Sequence, residues 1–223
     1  MQPLLRRRLA FLAGFAVYFG VLWFLWDTPV IYPLKIFVVL LHEVSHAAVA
    51  VATGGQIQRI VLDPYQGGAC YCPGGNAFLT LSAGYLGSLG WGALMMEAAR
   101  TRKVPTEWVT GGIGALLLAL TVLFVRSPFG IAFGLLFGAG LILVARRLTV
   151  AWNRTLLMAL GLTSALYAIL DIKSDILDRP HLESDAHMLA EITGVPTVAW
   201  GVLWIAVALG VSALLFRRAW RKA

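Results

Sequence analysis

Within a chain of 223 residues, one short run carries the side chains of a metal-dependent hydrolase: His42-Glu43-Val44-Ser45-His46. Its flanks, Phe37 to Leu41 and Ala47 to Val51, are apolar and helical in character, and residues four apart on a helix share a face. Both imidazoles can therefore reach one zinc ion. Glu43 lies on the same turn, placed to act on a water that zinc has acidified toward a pKa of about 7. The carboxylate can take the water's proton as it attacks a carbonyl and later deliver it to the leaving amine, which is peptide hydrolysis. With only four histidines in the chain, a chance occurrence of this pattern is rare.

A catalytic zinc needs a third protein ligand and an open position. The stretch from Asp171 to Glu191 holds six of the eleven carboxylates and the two remaining histidines, so it is the place to seek that ligand. Asp171 and Asp185 are the leading candidates, with Asp175 one turn after Asp171. Asp178, His181 and His187 are weaker ones. The two cysteines, Cys70 and Cys72, sit one residue apart between the glycine pairs at 67–68 and 74–75. They lack partners as metal ligands and do not make a disulfide framework; a turn of small residues is the reading.

The elements that must position these groups are set by lipid. The chain is 59% hydrophobic and 13% charged, with a mean hydropathy of +0.80, more apolar than one water-soluble core can bury. Seven apolar segments, 9–26, 31–52, 79–98, 108–125, 128–145, 149–172 and 197–216, approach or reach the length of about 20 residues that a spanning helix needs. The first follows three arginines but lacks a small-residue cleavage site, so it reads as a retained helix. The expectation is a single all-α polytopic membrane domain over 1–223, probing the bilayer with about seven helices. Charged groups inside such a domain default to function.

The net charge of +7 comes from basic residues clustered at the ends of apolar runs, which points to lipid headgroups and not to nucleic acid. Residues 56–78 read as a short β-hairpin after the second helix, from partial polar–apolar alternation bounded by glycine pairs. At membrane depth it must be covered by protein. If all seven segments span, four crossings separate it from the acidic connector 173–191 and place the two on one face; a model without one of segments three to six would put them on opposite faces. Small residues four apart, Gly84-Ser88-Gly92 and Gly130-Gly134-Gly138, read as close helix packing with no chemistry attached. No internal repeat of the kind common in transporters is evident, which argues against ion transport along the buried His and Asp residues.

These residues resemble the site-2 protease clan of intramembrane zinc metalloproteases, and especially its peptidase M50B-like branch. The resemblance runs from His42-Glu43-Val44-Ser45-His46 through Gly54-Gly55 and the hairpin to Ser82-Ala83-Gly84-Tyr85-Leu86-Gly87-Ser88. It continues at Leu170-Asp171-Ile172, Ser184-Asp185-Ala186 and Trp200-Gly201. It implies zinc held by His42, His46 and an aspartate, either Asp171 or Asp185, with Glu43 as base, acting on membrane-embedded protein substrates in the cell's inner membrane. Typical members carry Leu-Asp-Gly around that aspartate and Ala-Gly-Pro-x-x-Asn in the following helix; Ser88 stands here in place of the asparagine that positions substrate. The alternative the resemblance leaves open is a degenerate member that binds membrane partners as a scaffold.

Overall fold

In the computed structural model, the described residues are 3–25, 28–65, 67–101, 103–173 and 184–222. Asp175, Asp178 and His181 lie outside them. The order is α1 (Pro3–Leu25), α2 (Tyr32–Ala52), β1 (Arg59–Leu62), β2 (Gly68–Tyr71), α3 (Ala77–Arg100), α4 (Thr106–Phe124), α5 (Pro128–Arg147), α6 (Val150–Lys173), α7 (Asp185–Thr193) and α8 (Thr197–Lys222).

Five helices, α2, α4, α5, α6 and α8, are long and apolar enough to cross a membrane. The expectation of seven is thus met by five among the described residues. The apolar stretch of α1 is shorter, Leu12–Leu22. α3 has 24 residues, but four glycines, two serines and a threonine dilute its hydropathy. Those same residues let it pack closely. A Cβ on Gly92 would lie 2.7 Å from the carbonyl oxygen of Gly161 in α6, and one on Gly161 would lie 2.8 Å from that of Gly92. The α4–α5 pair meets in the same way, Gly114 against Gly138.

α2 is apolar on every side apart from its polar motif and the buried Lys35 in its first turn, and such a helix is stable only when surrounded. It is: Phe37, Val38 and Leu40 are fully buried against Leu117 of α4, Leu141 of α5 and Leu157 and Leu160 of α6. Phe37 also stacks on Phe137, with ring centroids 5.0 Å apart. The polar motif is therefore enclosed by protein, which removes the cost of exposing it to lipid.

After α2 the chain turns at Gly54, whose φ of +95° suits glycine. β1 and β2 pair antiparallel with Ile60 opposite Cys70 and Leu62 opposite Gly68. Ile60 and Leu62 point into the core while Arg59 is exposed, as the period of two requires. The outer edge of β1 is covered by the α4–α5 corner. The Arg126 N–H donates to the Ile60 carbonyl at 2.9 Å, and the Ser127 hydroxyl accepts from the Leu62 N–H and donates to the Leu62 carbonyl. A strand edge without such partners would be costly in this setting.

Cys70 and Cys72, expected as part of a turn, are joined to each other across Tyr71 at the end of β2. The turn lies just beyond them, at Gly74 and Gly75, both with positive φ.

Candidate metal centre

The two histidines project from successive turns of α2, with ring centroids 4.7 Å apart. Their Nε2 atoms converge on a single oxygen: Oδ2 of Asp185 lies 3.0 Å from His42 Nε2 and 3.1 Å from His46 Nε2. One donor atom from each of the three residues falls within 4.8 Å of the others, so the trio could hold a metal ion. The opposite ring nitrogens are also engaged. His46 Nδ1 lies 2.6 Å from the carbonyl oxygen of Thr80, to which it donates, and His42 Nδ1 lies 3.9 Å from Asp171 Oδ2. The Thr80 partner on the outer nitrogen of His46 fixes the tautomer that leaves its Nε2 free as a ligand, while Asp171 faces the outer nitrogen of His42 beyond direct hydrogen-bond reach.

Asp185 reaches the histidines because it opens α7, a helix absent from the sequence-based expectation. The Ser184 hydroxyl caps it by accepting from the His187 N–H at 3.3 Å. Ala186 and Leu189 are fully buried against Tyr85, Ile172 and Trp204, and the Tyr85 and Trp204 rings are 4.8 Å apart. Burying a leucine side chain contributes about 1.5–3 kcal/mol, enough to dock a short helix whose far end stops at Gly194 in the left-handed region. Burial alone would raise the Asp185 carboxyl, but the two histidine rings that face it outweigh this and hold it below the usual carboxylate range. It is an anionic donor. Two imidazoles and one carboxylate are a set that suits zinc with a position left over.

Glu43 is buried beside this trio, and the hairpin is what places it. The Cys70 N–H donates a backbone hydrogen bond to its carboxylate. Gly68, the other end of β2, lies directly against the side chain: a Cβ there would fall 2.6 Å from Glu43 Oε1. The cavity around these groups, about 620 Å³, is walled by His42, Glu43, His46, Tyr85, Asp171 and Asp185, with the Cys70–Cys72 bridge on the hairpin side. The hairpin and α7 thus border one space.

Gly84 has a role that its spacing did not give, and Ser88 lies where its small-residue spacing, not its motif position, put it. Gly84, read as packing alone, faces the metal centre. A Cβ there would collide with His42 Nε2 and lie 2.6 Å from His46 Nε2, so glycine keeps open the space between the ligands. The signals available were its place one turn after Thr80, on a helix that had to pass α2 closely, and its position in the Ala83-Gly84 part of the family resemblance. Ser88 lies one turn further along α3, buried in the seam with α6, where its carbonyl accepts from the Ser164 hydroxyl at 2.7 Å. It is not in the cavity wall. His187 is half exposed and pairs with Glu191 at 3.6 Å, away from the convergent trio.

A family model described as Peptidase M50B-like matches residues 15–215. The chain belongs to the Peptidase M50B-like family. The match takes in α2 with its histidines, both hairpin strands, α3, Asp171 and α7, so every element that borders the cavity falls within the M50B-like region. No curated protein and no solved structure matches the chain. With five apolar helices and this membership, the protein is an integral membrane protein of an M50-type protease family.

Proposed function

We propose that the chain is an intramembrane zinc metalloprotease that hydrolyses peptide bonds of membrane-embedded proteins, with His42, His46 and Asp185 as the metal ligands and Glu43 as the general base. The observation that carries this reading is the convergence of both Nε2 atoms on Asp185 with Glu43 buried alongside. Zinc held there would acidify a water and polarise the scissile carbonyl.

The rest belongs to this chain's own groups. Glu43, fixed by the Cys70 N–H, accepts the water's proton and returns it to the departing amine nitrogen. Asp171 and the Thr80 carbonyl hold the two imidazoles in their ligating orientation. α2 and its surroundings keep the centre from lipid, while the cavity at the hairpin admits water and an extended peptide. With α3 counted as a crossing, four crossings separate the hairpin from α7, which supports their meeting on one face; the cell's inner membrane is the location this reading assigns.

The test is elemental analysis of purified protein together with cleavage of a transmembrane reporter in proteoliposomes. Wild type should hold about one zinc per chain and cleave, and Glu43→Gln should keep the zinc and lose cleavage. Equal cleavage by the Gln variant would refute the mechanism.

A second reading follows from Ser88, which stands in place of an asparagine and lies in a helix seam instead of the cavity. On that reading the protein binds a membrane partner as a scaffold. Zinc-loaded wild type that never cleaves but retains one membrane protein stoichiometrically would support it.

A further inference from the structure

A second cavity, of about 530 Å³, lies between α1, α3, α6 and α8 and shares no residue with the metal centre. Its walls are mostly apolar, with Met96, Met158, Leu162, Leu166 and Phe216 among the lining side chains. Two charged residues line it, Arg100 in the last turn of α3 and Arg154 in the second turn of α6, and both are cationic. Helix ends rich in arginine sit at the headgroup level of a bilayer. The cavity therefore combines an apolar lining with two arginines from helix ends.

We propose that this cavity binds a phospholipid with an anionic headgroup, its acyl chain in the apolar interior and its phosphate between Arg100 and Arg154. Basic pockets between membrane helices are built for such headgroups. Glu97 acts electrostatically on Arg100, so one guanidinium alone would be offset; the second leaves the group positive. The size argues against a helical peptide: three turns of helix about 10–12 Å across fill roughly 1,500 Å³. An acyl chain is one methylene wide and fits.

Two hydroxyls fit the same occupant. The Ser212 hydroxyl lines the cavity, is buried, and has no partner among the described residues, so it is open to an ester carbonyl. The Tyr18 hydroxyl is already committed, to the Ala159 carbonyl at 2.8 Å and Thr163 Oγ1 at 2.6 Å, and thereby holds α1 in place as the fourth wall. Gly14, also in that wall, has nothing within 4 Å of a Cβ built on it, so a larger side chain there would occupy the acyl space without collision.

The test is native mass spectrometry of the full chain in mild detergent, titrated with palmitoyl-oleoyl phosphatidylglycerol or with the phosphatidylcholine of the same chains. Wild type should retain one lipid and prefer the anionic one by about fivefold, the worth of the one net near-surface positive charge that Glu97 leaves. Arg100→Gln with Arg154→Gln should abolish the preference, and Gly14→Phe should reduce retention of both lipids. Zinc content, set by the other cavity, should be unchanged in each variant and reports that it is folded. Equal retention of the two lipids by wild type, or an undiminished preference in the double variant, would overturn the proposal. So would full retention by Gly14→Phe.

Discussion

Asp171 and Asp185 stand on opposite sides of the His42 ring. Asp185 Oδ2 is 3.0 Å from Nε2 and Asp171 Oδ2 is 3.9 Å from Nδ1. Fourteen residues apart in sequence, they converge on one imidazole because α6 ends and α7 begins at the same cavity. The longer distance exceeds a direct hydrogen bond, so Asp171 acts through its charge or through a bridging water. On the proposed reading the two carboxylates take different tasks: Asp185 would ligate and Asp171 would orient.

The division predicts unequal effects on metal. Asp185→Ala removes a ligand and should leave the purified protein without stoichiometric zinc. Asp171→Asn should keep the ion but weaken it by about 10–100-fold, the usual cost of losing an outer partner. Competition with a chromophoric chelator measures both. Reversal of the order would make Asp171 the ligand.

Gly84→Ala should behave as a metal-site variant although glycine carries no side chain. Its Cβ would enter the space between the two Nε2 atoms, and it stands on a helix held against α6 by the close Gly92–Gly161 approach. Zinc content should fall sharply. Gly90→Ala, where nothing lies within 4 Å, is the matched control and should load normally. Normal loading of both would show that the trio relaxes more than the packing suggests.

This contrast marks where the sequence was legible. The apolar segments lie close to the helices observed, since about 20 consecutive apolar residues leave the chain little choice. The histidine pair was legible because helical spacing is local. α7 was not, since its nine residues sit in an acidic stretch and its helix depends on burying Ala186 and Leu189 under Tyr85 and Trp204. Nor was the choice between Asp171 and Asp185, which turns on which carboxylate the fold swings to Nε2. Gly84 and Gly68 were opaque for a different reason: what matters about them is the neighbour that fills the room they leave. Ser88 was read through a motif position, and the α3–α6 seam claims it.

Gly68→Ala should separate catalysis from metal binding. Its Cβ would press on Glu43, 2.6 Å from Oε1 and 2.9 Å from Cγ, and on Val39, while leaving the three ligands untouched. Zinc should stay and cleavage of the reporter should drop by about 10²-fold, the scale of loss when a catalytic group shifts by an ångström. Gly67→Ala, whose nearest contact would be an ordinary 3.5 Å, should remain active.

Ser127 links the remote corner of the bundle to the same glutamate. Its hydroxyl closes both backbone groups of Leu62 and caps α5 by accepting from the Gly130 N–H at 3.3 Å. Ser127→Ala leaves a buried strand edge unpaired, costing about 1–3 kcal/mol, and removes a cap worth about 1 kcal/mol more. β1 should then exchange its amide protons faster, and because β2 pairs with β1 and holds Glu43 through the Cys70 N–H, cleavage should weaken while zinc is retained. Ser127→Thr keeps the hydroxyl and should restore most of the protection. If the alanine variant exchanges at the wild-type rate, Val125 and Arg126 alone secure the hairpin, and Glu43 does not depend on this serine.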